Sequence, residues 1–149
     1  MFFDLNNDLV SPHWIKLTNE PEESERLYQQ AQELEKADKM SEAYLIYQSA
    51  SNKGHIKATT CVGFLVLLGK GTSPNKSEAY QYFLHSAKHG HVRAMMCLAK
   101  MSAQGDGVTQ NLPQALLWYE KAGELGDQKG ITKAQELRKL LKLTDLDGK

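Results

Sequence analysis

Apolar and small residues recur at helical spacing along most of the chain, in segments that end at glycine. Residues 55–68 and 91–104 carry such residues three and four positions apart, and Gly69 and Gly105 follow them. Glycine suits the left-handed conformation that commonly closes an α-helix. The pattern therefore predicts two helices of similar length, which we term A helices, each with a glycine stop.

A second set of helices is predicted after the glycine-rich loops GKGTSPN and GDGVTQN. Asn75 and Asn111 end these loops and are favoured N-cap residues, with Glu78 and Gln114 three positions later, as in a capping box. Pro113 lies in a first turn, where its missing N–H is harmless. The B helices are predicted to end at Gly54, Gly90 and Gly126.

The two-helix unit repeats with a constant period. Gly54, Gly90 and Gly126 are 36 residues apart in both intervals. The same offset aligns Ala43, Ala79 and Ala115; Tyr47, Phe83 and Tyr119; Ala50, Ser86 and Ala122; and Cys61 with Cys97. Units of this kind bury their apolar faces by stacking on one another, so the period predicts a helical solenoid.

The predicted fold class is all-α, a right-handed α-solenoid of about three helix-turn-helix repeats plus a C-terminal capping helix. The repeats cover about residues 20–54, 55–90 and 91–126, and the capping helix covers residues 127–143. Residues 1–19 are interpreted as an irregular segment, either folded over the first helix pair or acting as a docking arm. Residues 144–149 are interpreted as a frayed tail.

The third unit resembles a known repeat. AMMCLAKMSAQGDGVTQNLPQALLWYEKAGELGD, residues 94–127, is similar to the Sel1-like repeat, a relative of the tetratricopeptide repeat. The residues on motif positions are Ala94, Leu98, Gly105, Gly107, Val108, Ala115, Trp118, Tyr119, Lys121, Ala122 and Gly126. Residues 55–90 match more loosely, and residues 24–54, which lack the glycine loop, resemble the shorter tetratricopeptide version. The resemblance implies the solenoid fold and says little about function.

The cysteines are predicted to be reduced. Secreted members of the family join successive helices by a disulfide, and the equivalent positions here, such as Ser51 and Ala58, hold no cysteine. The resemblance therefore excludes that subfamily and its β-lactam binding. Cys61 and Cys97 stand on helices whose axes are expected to be about 8–10 Å apart, too far for a disulfide. Both are interpreted as packing residues in a reducing compartment.

Composition and charge narrow the classes of partner. The 149 residues include 18 basic and 18 acidic side chains, so no overall field favours nucleic acid or an anionic membrane. The longest apolar run, CVGFLVLLG, is far shorter than the roughly 20 residues that span a bilayer. The first residues lack a basic segment followed by an apolar one, which predicts a cytoplasmic protein without membrane insertion.

No motif for catalysis or for a cofactor is present in the sequence. It lacks a Gly-x4-Gly-Lys-Ser/Thr phosphate loop, a His-Glu-x-x-His helix and a Cys-x-x-Cys pair. His85 and His89 are four positions apart and could share a metal ion, but they have no obvious further ligand. We predict no enzyme activity, no cofactor and no metal site, and keep metal binding or catalysis through these histidines as a less favoured alternative. His85, His89 and the neighbouring His91 are interpreted as solvated turn residues.

Two aromatic residues of the third unit admit two interpretations. Trp118 and Tyr119 would be exposed if they formed a recognition box, and buried if they were packing residues of the repeat. Tyr47 and Phe83 occupy the position of Tyr119 in the earlier units. This periodicity predicts that the pair packs between helices.

The functional surface is expected on the concave face. The resemblance to tetratricopeptide repeats implies that the A helices line it, together with the start of the capping helix. The predicted partner-binding residues are Tyr28, Gln32, Lys57, Thr60, Phe64, Leu67, Arg93, Met96, Lys100 and Lys129. Lys57, Arg93 and Lys129 recur at the repeat interval and could hold an acidic or carboxylate-bearing segment. The alternative is that they are ordinary solvated charges.

These observations predict a non-catalytic protein–protein interaction module that binds a partner protein or peptide. An adaptor that tethers a peptide is one version. A dedicated inhibitor is the other, such as an immunity protein that blocks a toxin or an enzyme by one-to-one binding.

Overall fold

The computed structural model describes residues 20–147, with side chains described for residues 21–142. The interpretations of residues 1–19 and of the last two residues lie outside the described part. Residues 20–147 form seven α-helices and contain no strand. The helices are α1 Glu20–Lys36, α2 Met40–Asn52, α3 Ile56–Leu68, α4 Lys76–Lys88, α5 Val92–Gln104, α6 Leu112–Glu124 and α7 Gln128–Asp147.

Each helix packs mainly on the helices before and after it in sequence. Helices α1, α3 and α5 are the A helices, and α2, α4 and α6 are their B partners; α7 follows in the position of a fourth A helix. This arrangement confirms the predicted all-α helical-repeat solenoid. Helix α7 continues to Asp147, past the predicted boundary at residue 143.

The backbone confirms the predicted N-caps and the glycine stops of the A helices, whereas the B helices end two residues before the predicted glycines, at Asn52, Lys88 and Glu124. Asn75 and Asn111 each accept a hydrogen bond on Oδ1 from the backbone N–H three residues later, at 3.0 Å. Gly69 and Gly105 close α3 and α5 with φ of 70°, in the left-handed region. Side-chain capping at one end and glycine at the other satisfy backbone groups that a helix leaves unpaired.

The core consists of the residues that recur at the repeat period. Tyr47 and Phe83 are 1% and 0% exposed, and Trp118 and Tyr119 are 8% and 7% exposed. The predicted packing role of the aromatic pair is therefore confirmed. The aligned alanines of the B helices are completely buried, which lets neighbouring helices approach closely.

Helix α7 packs closely on α6 at two glycines, Gly123 and Gly130. A Cβ atom at Gly130 would be 2.9 Å from the backbone nitrogen of Gly123 and 3.0 Å from the carbonyl oxygen of Tyr119. Towards the other end of the contact, the Arg138 guanidinium donates hydrogen bonds to Oε2 of Glu120 at 2.7 and 3.0 Å. These contacts fix α7 against α6, and α7 forms one wall of the site described next.

Candidate functional site

The A helices α3, α5 and α7 border an open groove of about 790 Å³ at the C-terminal end of the solenoid. Helix α5 forms one wall and α7 forms the other. Five of the ten predicted binding residues line this groove: Phe64, Arg93, Met96, Lys100 and Lys129. The structure therefore brings together the predicted residues of the third repeat, Phe64 of the second repeat and Lys129 of the capping helix.

The floor of the groove is apolar. Met96 on α5 and Leu137 on α7 contribute aliphatic surface, and Tyr119 of α6 lies between them with most of its ring buried. Phe64 borders the groove from α3 and packs edge-on against the core ring of Phe83, with centroids 5.0 Å apart. A floor of this kind can accept an apolar side chain of a ligand.

Positive charges stand on both walls. The guanidinium carbon of Arg93 lies 4.4 Å from the ring centroid of Phe64, a cation–π contact that orients it along the groove. Lys100 shares the α5 wall with Arg93, and Lys129 stands on the α7 wall. Lys133 follows on α7, where its Nζ lies 3.6 Å from Oε1 of Glu136.

The predicted residues of the first repeat are engaged in internal contacts instead. The Tyr28 ring stacks on His55 with centroids 4.4 Å apart, and Gln32 Nε2 donates to the Tyr28 hydroxyl at 3.3 Å. Nε2 of His55 lies 2.8 Å from Oε1 of Glu25. This pairing lowers the pKa of the Glu25 carboxyl, chiefly through the hydrogen bond from His55 and secondarily through one from Gln29.

The prediction that Thr60 lies on the binding surface was wrong. Its side chain is 1% exposed, and its hydroxyl Oγ1 lies 2.7 Å from Nδ1 of His91. The His91 ring at the start of α5 reaches back to α3 and covers Thr60. Burial lowers the pKa of the His91 ring, and the positive charges of Lys57 and Arg93 act in the same direction.

The other two residues predicted to bind lie outside the groove. Lys57 is exposed on α3, and Leu67 is partly buried against the core. Of the predicted charge ladder, only Arg93 and Lys129 therefore reach one site. The interpretation of the histidines as solvated also fails for His91, which bridges α5 and α3, and His55 makes the equivalent bridge from α3 to α1.

Both cysteines carry free thiols. Burial raises the pKa of Cys61 and of Cys97 to about 11, although Arg93 and Lys100 partly oppose this shift at Cys97. A thiol with such a pKa is almost entirely protonated near neutral pH and is a poor nucleophile. Cys97 borders the groove as a packing residue.

His85 on α4 and His89 directly after it form the histidine pair that could share a metal ion. The rings of His85 and His89 are 4.6 Å apart between centroids, and Nδ1 of His89 lies 2.9 Å from the carbonyl oxygen of His85. Within the described residues, no three His, Cys, Asp or Glu side chains are grouped to hold a metal ion. The pair therefore lacks the donor set of a typical protein metal site.

Sequence reasoning missed most of the α7 wall. Lys133, Glu136 and Leu137 line the groove, and none was predicted to bind. A signal was present, because Lys133 and Glu136 lie four and seven positions after Lys129 and hence on the same helical face. The prediction placed only Lys129, at the start of α7, on the binding surface and left out the rest of this face.

These features define the class of protein: a helical-repeat solenoid whose A helices border a ligand-sized groove. Residues 62–91 and 92–127 each match the Sel1 repeat family. The chain therefore contains two Sel1 repeats. Sel1 repeats form a non-catalytic scaffold and generally mediate protein–protein interactions.

Solved structures agree with this assignment. A Sel1 repeat protein from Oxalobacter formigenes is 30% identical with a TM-score of 0.61, over 63% of this chain and 39% of that protein. The protective antigen c5321 of uropathogenic Escherichia coli, which displays the same repeat fold, is 24% identical with a TM-score of 0.70, over 79% of this chain and 26% of its own. Cysteine-rich protein B of Helicobacter pylori is 21% identical with a TM-score of 0.59, over 61% of this chain and 68% of its own.

The chain thus spans well under half the length of the first two proteins. No curated protein sequence matches it significantly. Among the described helices, none has the length and apolar character needed to cross a membrane.

Proposed function

We propose that the chain binds a segment of another protein in the groove between α5 and α7. The observation that carries this proposal is the groove itself, because an apolar floor is flanked by polar and charged side chains on two rigid helices. Apolar anchors surrounded by polar contacts are the usual composition of a protein-binding surface.

The size of the groove favours the adaptor over the dedicated inhibitor. A volume of about 790 Å³ accommodates a few side chains of a short segment rather than the face of a folded domain. The free thiols of Cys61 and Cys97 support a reducing compartment, and we include a cytoplasmic location in the proposal.

Peptide selection followed by a steric block tests the proposal. Random peptides of about 12 residues, long enough for a few helical turns, are displayed and selected on the purified protein. Thr132 is exposed on the α7 wall, and Thr132→Trp fills the groove without adding charge. We expect this variant to bind the selected peptides with at least about tenfold lower affinity than the wild type.

Leu117→Trp is the matched control, because Leu117 is 59% exposed on α6 and does not line the groove. Ala103→Trp places the same block on the α5 wall and provides a second, independent variant. The proposal fails when no peptide can be selected, or when the selected peptides bind the blocked variants as tightly as the wild type.

A further inference from the structure

The groove carries a local excess of positive charge. Arg93 and Lys100 stand on the α5 wall and Lys129 and Lys133 on the α7 wall, whereas Glu136 is the single carboxylate among the lining residues described. The whole chain holds equal numbers of basic and acidic side chains, so the excess belongs to the groove. A cleft lined by one sign of charge concentrates the electrostatic field and attracts the opposite charge.

Among the described side chains, most of these cations have no carboxylate partner. Lys133 approaches Glu136, but at 3.6 Å and with both side chains more than half exposed the pair is weak. Arg93 contacts the ring of Phe64 instead of a carboxylate. In the part of the chain whose side chains are described, neither Lys100 nor Lys129 forms an ion pair.

The spacing of the charges restricts the ligand. Arg93 and Lys100 are seven residues apart on α5, which corresponds to about 10 Å along the helix axis. Met96 lies between them on the same face, and Leu137 faces it from α7. A complementary ligand therefore carries carboxylates separated by about two helical turns, or about three residues of extended chain, beside an apolar side chain.

We propose that the groove binds an acidic segment of a partner protein in which carboxylates flank an apolar anchor. The carboxylates pair with Arg93 and Lys100 on one wall and with Lys129 on the other, and the anchor packs on Met96 and Leu137. This inference rests on the proposed function, since it names the chemistry of the segment that the groove accepts.

An acidic protein segment fits these contacts better than a nucleic acid does. Proteins that hold single strands combine cations with open aromatic faces on which bases stack. The Phe64 ring is covered by Arg93 on one side and packs on Phe83, and Tyr119 is only 7% exposed. The groove thus offers aliphatic surface without an aromatic platform.

The composition of the selected peptides gives the first readout. We expect enrichment in Asp and Glu beside a Leu, Met or Ile. Lys100→Glu combined with Lys129→Glu should weaken these peptides by at least about tenfold. The control, Lys70→Glu combined with Lys88→Glu, makes the same change of charge at exposed positions outside the groove. It should lower the affinity of the peptides by less than about threefold.

Charge-swapped peptides give the second readout. Peptides with Lys in place of each acidic residue should bind the Lys100→Glu and Lys129→Glu protein and fail to bind the wild type. Selection of neutral or basic peptides overturns the inference, as does tighter competition by a single-stranded RNA probe than by the acidic peptides. If Thr132→Trp lowers the affinity of the peptides but the charge reversals do not, this inference alone is overturned. If neither change lowers the affinity, the proposed function is overturned as well.

Discussion

Gly107 in the loop of the third repeat lies directly against Lys76, the first residue of the preceding B helix. A Cβ atom at Gly107 would be 2.8 Å from the backbone carbonyl carbon and oxygen of Lys76. Around this contact, Lys76 Nζ lies 2.7 Å from Asp106 Oδ1, and the Ser77 hydroxyl donates to the Gly107 carbonyl at 3.2 Å. Gly71 makes the equivalent approach to Met40 one repeat earlier. The glycine loops therefore join each repeat to the one before it.

We predict that Gly107→Ala destabilises the protein by about 2–4 kcal/mol, because the methyl group meets fixed backbone atoms and φ of 78° is strained for alanine. Urea unfolding measures the effect. Gly90→Ala is the matched control, since Gly90 has φ of 88° and open space around its Cβ position. It should cost only about 1–2 kcal/mol. Equal losses would show that the contact between repeats contributes nothing.

We predict that Gly130→Ala is destabilising by about 1–3 kcal/mol, although alanine is the better helix former by about 1 kcal/mol. The added methyl group would collide with the backbone of Gly123 and Tyr119, so α7 must move away from α6. Thermal unfolding is the measurement. Gln135→Ala, at an exposed position of α7, should be neutral or stabilising. A Gly130→Ala variant more stable than the wild type would contradict the close packing of α7.

We predict that Tyr119→Ala costs about 3–5 kcal/mol of stability, because the ring fills the space between α6, α5 and α7. Tyr119→Phe keeps the ring and should cost less than about 1 kcal/mol. Leu117→Ala, at the exposed neighbouring position, provides the surface control. A stable and fully folded Tyr119→Ala protein would argue that the aromatic residue is not part of the core.

We predict that both cysteines react slowly in the folded protein. A thiol with a pKa of about 11 is about 0.1% ionised at pH 8, against about 10% for one with a pKa of about 9. Alkylation by iodoacetamide should therefore be at least about a hundredfold slower than in urea-unfolded protein, as followed by mass spectrometry. Equal rates in both states would disprove the burial of the thiols.

We predict that acid destabilises the fold partly through His91. Burial holds the pKa of its ring below 6.5 in the folded state, so the unfolded chain binds this proton more tightly. The contribution to stability is present above pH 6.5 and is lost as the pH falls through that value towards the lower folded-state pKa. His91→Asn cannot titrate, so its Tm should fall less between pH 7 and pH 5 than the Tm of the wild type. An identical fall in both proteins would contradict this role.

The repeat, the helix caps and the stops of the A helices could be predicted from the sequence alone. Caps such as Asn75 and stops such as Gly69 act through hydrogen bonds and backbone conformations within a few residues. Such local signals can be recognised in the sequence. The packing role of Tyr119 could also be predicted, because a solenoid places residues at equivalent repeat positions in equivalent environments.

Which of the inward-facing residues share one site depends on the packing between repeats and could not be predicted from the sequence. Thr60 has the correct helical phase for the concave face, but the His91 ring from the next repeat covers it. Tyr28 is similarly occupied by His55. Lys133 and Leu137, which were assigned only to a cap, face the groove because two glycines let α7 settle close to α6. The position of a residue along a helix tells which way its side chain points from that helix. The shape of a groove depends instead on the distance and angle between helices, and side-chain packing between repeats sets both.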